Sequence, residues 1–255
     1  MIVSWYRQNV NDFGYLPATS LLWRVVWGRA VVKASNALLA KRFECPCCGW
    51  EGRRLFDYVE MGYTVRNASC PRCDSHSRHR AFFLWLRDHY EIEKVIGTAV
   101  LFAPERALEA LWKRATALRT VKLDIEPSRG VDVIGDIMRL PFRSQLADLV
   151  WCHHVLDQVP NDRIALSELN RVLKSTTGDL IISVGESHLP DTREFGTPDK
   201  ALSGNLRSYG ADFPDRLRAA GFSVQVLDVG LRETDRHRYA LNNETFYLCR
   251  KDQVD

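Results

Sequence analysis

Residues 180–184 read Leu-Ile-Ile-Ser-Val, a run so apolar that a β-strand made of it must be buried on both faces. Such strands sit inside parallel sheets, with helices between the strands covering each side. From about residue 95 the chain supplies the rest of this pattern. Stretches 98–103, 121–125, 131–134 and 148–152 are further β-rich runs, and 224–229 and 245–250 close the series. Between them, 106–115 can form a helix, and 162–173 places Ala165, Leu166, Leu169, Val172 and Leu173 on one helical face. A third helix spans 213–220, with Gly221 placed as its stop. The expected fold is α/β: a parallel, doubly wound, Rossmann-like sheet of seven strands. Stretch 185–210, with Gly, Pro, Asp and Ser throughout, reads as loop.

The first third of the chain follows a different logic. Five of seven cysteines fall between Cys45 and Cys73, four of them as the pairs Cys45/Cys48 and Cys70/Cys73 with 21 residues between the pairs. Two thiolates separated by two residues can both turn inward on one tight turn, and two such turns facing each other make a tetrahedral S₄ site for Zn²⁺. Gly49 lets the backbone curl just past the first pair. Four ligands close the coordination sphere, so such a zinc is structural. A redox disulfide and unrelated buried thiols are the alternatives. Cys47 is left over, and Cys152 and Cys249 lie in apolar runs that suit inert buried thiols. With no signal peptide visible, clustering of this kind suits a reducing, cytoplasmic setting.

These features divide the chain into an N-terminal helical extension (1–43), a zinc-ribbon module (44–76) and an α/β domain (77–255). A largely buried helix opens the last, through Phe82, Phe83, Leu84, Trp85 and Leu86. The extension is aromatic and basic. Arg24, Arg29 and Lys33 break its apolar stretch, leaving no uninterrupted run of the roughly 18–20 residues a transmembrane helix needs. It reads either as a helix packed on the main domain or as a basic amphipathic helix in peripheral contact with a membrane. The net charge of +3 falls to +1 once four thiolates hold one Zn²⁺, so no global electrostatic argument favours nucleic acid.

An α/β sheet of this kind binds its ligand beyond the carboxyl ends of its strands, with an acid after the second strand on the ribose hydroxyls. The first strand ends near Ala103, and Asp124 follows 21 residues later, next to Ile125. Asp136 follows the third β-rich run and can accept from an adenine amino group, while Ile137 offers the ring an apolar wall. Each acid taken singly also fits a turn or cap.

The run 131–174, "VDVIGDIMRLPFRSQLADLVWCHHVLDQVPNDRIALSELNRVLK", resembles the middle of class I S-adenosylmethionine-dependent methyltransferases, where an Asp precedes "LPF", a "DxV" strand leads to "HVLEH", and a helix ends "xELxRVLKPGG". More narrowly, the chain is similar to a bacterial subgroup of that family. That subgroup joins a Cys-Pro-x-Cys knuckle and an "SxxRxR" stretch to a first strand ending Ala-Pro-Glu. Here these are Cys70–Cys73, Ser75 with Arg78 and Arg80, and Ala103-Pro104-Glu105. An "RxYGxDxxxRLxxAGF" element follows at 207–222, and the ending "RYxL…E…CRK" at Arg238–Leu241, Glu244 and Cys249–Lys251.

The resemblance implies the methyltransferase form of the seven-stranded sheet, with S-adenosylmethionine as cofactor. The family's "DxGxG" loop is absent: Leu101 stands at the acid, Ala103 at the first glycine and Glu105 at the second. Glu105 then becomes a candidate partner for the methionine ammonium of the cofactor, or a cap for the helix that follows. "HVLEH" has become His154-Val-Leu-Asp157-Gln158, and "KPGG" has become Lys174-Ser-Thr-Thr-Gly178.

A sulfonium methyl is already electrophilic, so the protein has to place a nucleophile in line and, for a hydroxyl, remove its proton. His153, His154 and Asp157 are the catalytic candidates, and His154 also suits a structural role at the turn. His188 and Arg193 lie in the loop-like stretch, with Arg207 and Tyr209 as candidates for substrate contact; Arg207 can grip an anionic group or simply bond loop backbone. The acceptor expected is a small molecule or glycan. RNA gripped through the zinc module and a non-catalytic binding protein are the alternatives.

Overall fold

The computed structural model describes residues 2–252 except 62, 128–129, 186, 188, 200–203, 229–232 and 243–244. His188 and Glu244 thus lie outside the described residues. By internal contacts the chain divides into two compact units: residues 1–86 with 231–244, and residues 87–230 with 245–255.

In the first unit, α1 (Ile2–Phe13) and α2 (Tyr15–Leu38) are joined at Gly14, whose φ of +88° favours glycine. The Tyr6 and Thr19 hydroxyls bond across the pair. Two antiparallel hairpins follow: β1 (Phe43–Cys45) with β2 (Trp50–Gly52), and β3 (Phe56–Glu60) with β4 (Tyr63–Ser69). α2 buries Ala18, Leu21 and Val32 and packs on β3. The Asn36 side chain pins it there, accepting from Arg54 N–H and donating to Arg54 C=O. The inner face of α2 thus meets the cysteine segment. Among the described residues, no helix is long and apolar enough to cross a membrane.

The unit is completed by α3 (Ser77–Asp88), buried through Ala81–Leu86 as its sequence requires, and by a short helix, Glu233–Tyr239 (α7). Arg80 is fully buried, and its guanidinium donates to the carbonyls of Ala68, Ser75, Tyr239 and Ala240. The cysteine segment is therefore part of a larger unit, and a separate zinc-ribbon module does not stand out.

The second unit is built on a seven-stranded sheet. Its strands are β5 (Gly97–Phe102), β6 (Leu118–Asp124), β7 (Val133–Ile134), β8 (Leu149–His153), β9 (Asp179–Ser183), β12 (Phe222–Asp228) and β13 (Thr245–Lys251), in the order β12-β13-β9-β8-β5-β6-β7. β8 and β9 are buried along their whole length, as their composition demands. β13 runs antiparallel to both neighbours, so the sheet is mixed where a parallel one was expected. An apolar run reads the same in either direction, so the pattern could not reveal this.

Helices α4 (Glu109–Arg114), α5 (Asp162–Val172) and α6 (Phe213–Ala219) alternate with the strands. Asn161 caps α5 by accepting from the Arg163 and Ile164 N–H groups. The stretch read as loop contains an antiparallel pair, β10 (Arg193–Asp199) with β11 (Asn205–Ser208); β10 is largely exposed, so it carries no apolar alternation.

Candidate functional site

The chain leaves β5 toward β6 and β7 on one side, then returns to place β8 on the other. β5 and β8 therefore flank a topological switch point, where open α/β sheets bind ligands beyond their carboxyl ends. Ala103 follows β5, Asp124 ends β6, Asp136 follows β7, and His153 and His154 stand at the end of β8. The topology thus brings residues spread over some fifty positions to one edge.

Ala103 has φ +44°, left-handed for a residue that carries a Cβ, and its N–H bonds the Leu123 carbonyl. Pro104 and the half-buried Glu105 follow. Glu105 occupies the N-cap position of the 3-10 turn over Arg106–Leu108, yet its side chain makes no capping hydrogen bond. Its Oε2 is buried.

Asp124 is buried, and its Oδ1 accepts from Glu126 N–H at 3.0 Å. The exposed Asp136 makes the same local turn, accepting from Met138 N–H at 2.8 Å. In each acid the turn bond is made to Oδ1. Ile125 is exposed, whereas Ile137 is packed in the core beside Leu123 and Leu140.

The two histidines differ sharply. His153 is buried, its Nδ1 is 2.6 Å from Ser183 Oγ, and its ring lies against Trp151. His154 turns outward with φ +50°, and its Nδ1 stands 3.9 Å from Asp157 Oδ2. Asp157 is almost wholly buried. Its Oδ1 accepts from Gly185 N–H at 2.8 Å, an approach that a Cβ at residue 185 would crowd at 3.0 Å. Burial raises the Asp157 carboxyl to about 6, against the pull of the Gly185 N–H and the Arg207 charge. Ser183 and Gly185 are partners that sequence reading missed. One ended an apolar strand and the other opened a loop, and neither carried a signal.

Arg207 and Tyr209 face inward. Arg207 donates to the Leu156, Val159 and Pro160 carbonyls and to Glu194, and Tyr209, fully buried, donates to Asp162. Arg216 joins Asp162, Glu194 and Asp212 into the same network. Both residues therefore hold the backbone around Asp157. Arg193 lies at the start of β10, exposed, with its guanidinium over the Phe195 ring.

In the other unit, Cys45, Cys48, Cys70 and Cys73 place their sulfurs within 4.8 Å of one another, with 3.6 Å between Cys45 and Cys73 and 3.7 Å between Cys48 and Cys70. A tetrahedron of Zn–S bonds of about 2.3 Å has edges of about 3.8 Å, so the donor set fits Zn²⁺. Both knuckles close alike. The N–H of Gly49 bonds Cys45 C=O and the N–H of Asp74 bonds Cys70 C=O, and both residues have positive φ. Ser75 Oγ lies 3.1 Å from Cys45 Sγ and 3.2 Å from Cys73 Sγ. Cys47 is not one of the four, as the pair spacing implied; its thiol lies beside Cys45 and 3.8 Å from the His79 carbonyl.

Residues 102–182 match a methyltransferase domain family. The match runs from the end of β5 into β9 and spans every candidate at the sheet edge. No curated protein matches the chain. Its fold is similar to a SAM-dependent methyltransferase from Archaeoglobus fulgidus, at 12% identity over 68% of this chain and 94% of that one, with a TM-score of 0.47. It is also similar to the 1,6-didemethyltoxoflavin-N1-methyltransferase of Burkholderia thailandensis, at 15% identity over 77% and 98%, with a TM-score of 0.46. Likenesses at this level carry no weight for the substrate.

Proposed function

We propose that the sheet edge at β5–β8 binds S-adenosylmethionine and passes its methyl to a small-molecule or glycan acceptor. The single observation that carries this is the domain match lying across a switch point whose strand ends hold Ala103, Asp124, Asp136 and His154. When bound there, the cofactor supplies an electrophilic methyl group. Asp124 holds the ribose hydroxyls, Asp136 meets the adenine, and Ala103-Pro104-Glu105 replaces the glycine loop, with the Glu105 carboxylate toward the ammonium group. His154 is the candidate base. It faces outward at the strand end, with Asp157 3.9 Å behind its Nδ1. His153, packed on Trp151 and bonded to Ser183, is a positioning residue.

Charge favours a small acceptor over nucleic acid. The unit with the sheet carries 20 Lys and Arg against 23 Asp and Glu, so its own net charge is negative. The four cysteines hold a structural zinc in the other unit, supported by the fit of their spacing to a tetrahedron.

Calorimetry tests the cofactor site directly. The wild-type protein should bind S-adenosylmethionine, and Asp124→Asn should lose about 1.5–3 kcal/mol of that affinity. Glu105→Gln keeps shape while removing charge, so an affinity loss there reports the ammonium pairing. No binding by the wild type would overturn the reading.

A further inference from the structure

We propose that the outward face of α2 docks the protein on the surface of an anionic phospholipid bilayer. At 3.6 residues per turn, Leu16, Trp23, Trp27, Val31 and Leu38 fall within an arc of about 80°. All five are exposed, Trp23 at 66% and Trp27 at 70%. Ala18, Leu21 and Val32, which hold the helix on its own unit, lie on the opposite side. The helix is therefore apolar on two faces, and only one is covered. From Leu16 to Leu38 the uncovered strip is about 33 Å long.

Charge decides what covers it. Arg24 borders the strip on one side and Lys33 lies round the other, Arg29 turns back over the Phe56 ring of its own unit, and α2 contains no acidic residue. A second copy of this helix laid on the strip would set arginine against arginine with no acid to relieve it. A layer of anionic headgroups answers the same charges. Residues 1–43 hold six Lys and Arg against one Asp, while the chain as a whole is only +3, so the rest of the protein is net negative. The basic surface is thus concentrated where the tryptophans are.

The residue types suit that depth. Indole rings settle at the level of the headgroups, and an interfacial helix sinks its apolar face roughly 5–10 Å while its cations stay in water. The same three cations keep the helix from spanning the bilayer, in line with the absence of a membrane-crossing helix among the described residues. The Asn36 clasp on Arg54 fixes the helix to the cysteine hairpins, so the strip is presented by a rigid mount.

Co-sedimentation of the full chain with vesicles tests this. The protein should pellet with vesicles of phosphatidylcholine mixed with phosphatidylglycerol at low salt, and stay in solution with phosphatidylcholine alone. Trp23→Ser with Trp27→Ser should weaken partition by roughly tenfold or more. Arg24→Gln and Lys33→Gln together should weaken it by about thirtyfold. Unchanged circular dichroism and melting temperature confirm that these exposed substitutions leave the fold intact. A wild-type protein that ignores anionic vesicles overturns the proposal, as does a tryptophan variant that pellets equally well. So does a wild-type dimer that the tryptophan variant turns into a monomer, since a second copy would then own the strip.

Discussion

Ala103 and His154 end the neighbouring parallel strands β5 and β8, and both do so in the left-handed region, at φ +44° and +50°. Non-glycine residues rarely adopt this conformation, which raises their energy by roughly 1–2 kcal/mol each. Both stand at the carboxyl end of the sheet, so local strain sits where the ligand is proposed to bind. One opens the loop after β5, and the other aims an imidazole outward.

Ala103→Gly should remove that strain while adding unfolded-chain entropy of about 0.4–1 kcal/mol. The expected net effect is a stabilisation of up to about 1 kcal/mol by urea denaturation, with cofactor affinity equal or higher by calorimetry. A clear loss of stability would show that the Ala103 methyl packs usefully and that the backbone there is not under strain.

Asp157 gives a pH-dependent prediction. Its carboxyl is raised from 3.8 to about 6 on folding, so between those values the folded state binds more protons than the unfolded one. Stability should therefore fall as pH rises from about 4 to about 6, and stay lowered above that, by at most about 3 kcal/mol. Asp157→Asn retains the acceptor for Gly185 N–H and removes the buried charge. Denaturation at pH 4, 6 and 7.5 should show this variant gaining roughly 1–2 kcal/mol at pH 7.5 and nothing at pH 4, with methyl transfer reduced. A variant less stable than wild type at pH 7.5 would refute this account of the buried carboxylate.

Much of the sheet could be read in advance because its strands are buried on both faces, and burial of that kind writes itself into composition. Leu149–His153 and Asp179–Ser183 are unbroken apolar or small stretches. β10 and α7 have no such imprint, since each faces solvent along most of its length. The four metal-binding candidates were legible because the spacing of thiols on a tight turn is itself geometric. The roles around β8 were not. Which histidine turns inward depends on Ser183 and Trp151, partners brought close by sheet register. Arg207 reads equally well as an anion clamp or a backbone clamp until its surroundings are known.

The cysteine cluster predicts a stoichiometry. Metal analysis of the purified protein should find about one zinc per chain, and Cys70→Ser should lose it and loosen the N-terminal unit. Cys47→Ser should keep the metal, because Cys47 lies outside the cluster. A metal-free protein of unchanged stability would exclude a structural zinc.

The two roles open to Arg207, backbone clamp and anion clamp, predict opposite behaviour. Arg207 is 3% exposed, and its guanidinium satisfies the carbonyls of Leu156, Val159 and Pro160, which bracket Asp157. Removing it strands those carbonyls, while Glu194 keeps Arg216, so Arg207→Gln should destabilise by about 2–4 kcal/mol. Arg207→Lys should recover only part of this, since one ammonium cannot reproduce the planar fork. The charge also lowers the Asp157 carboxyl, so its loss should move the pH-dependent fall in stability to higher pH. Urea denaturation across pH 4–8 reads both effects at once. If Arg207 instead served an anionic acceptor, Arg207→Gln would leave the midpoint and its pH dependence unchanged and only weaken acceptor binding.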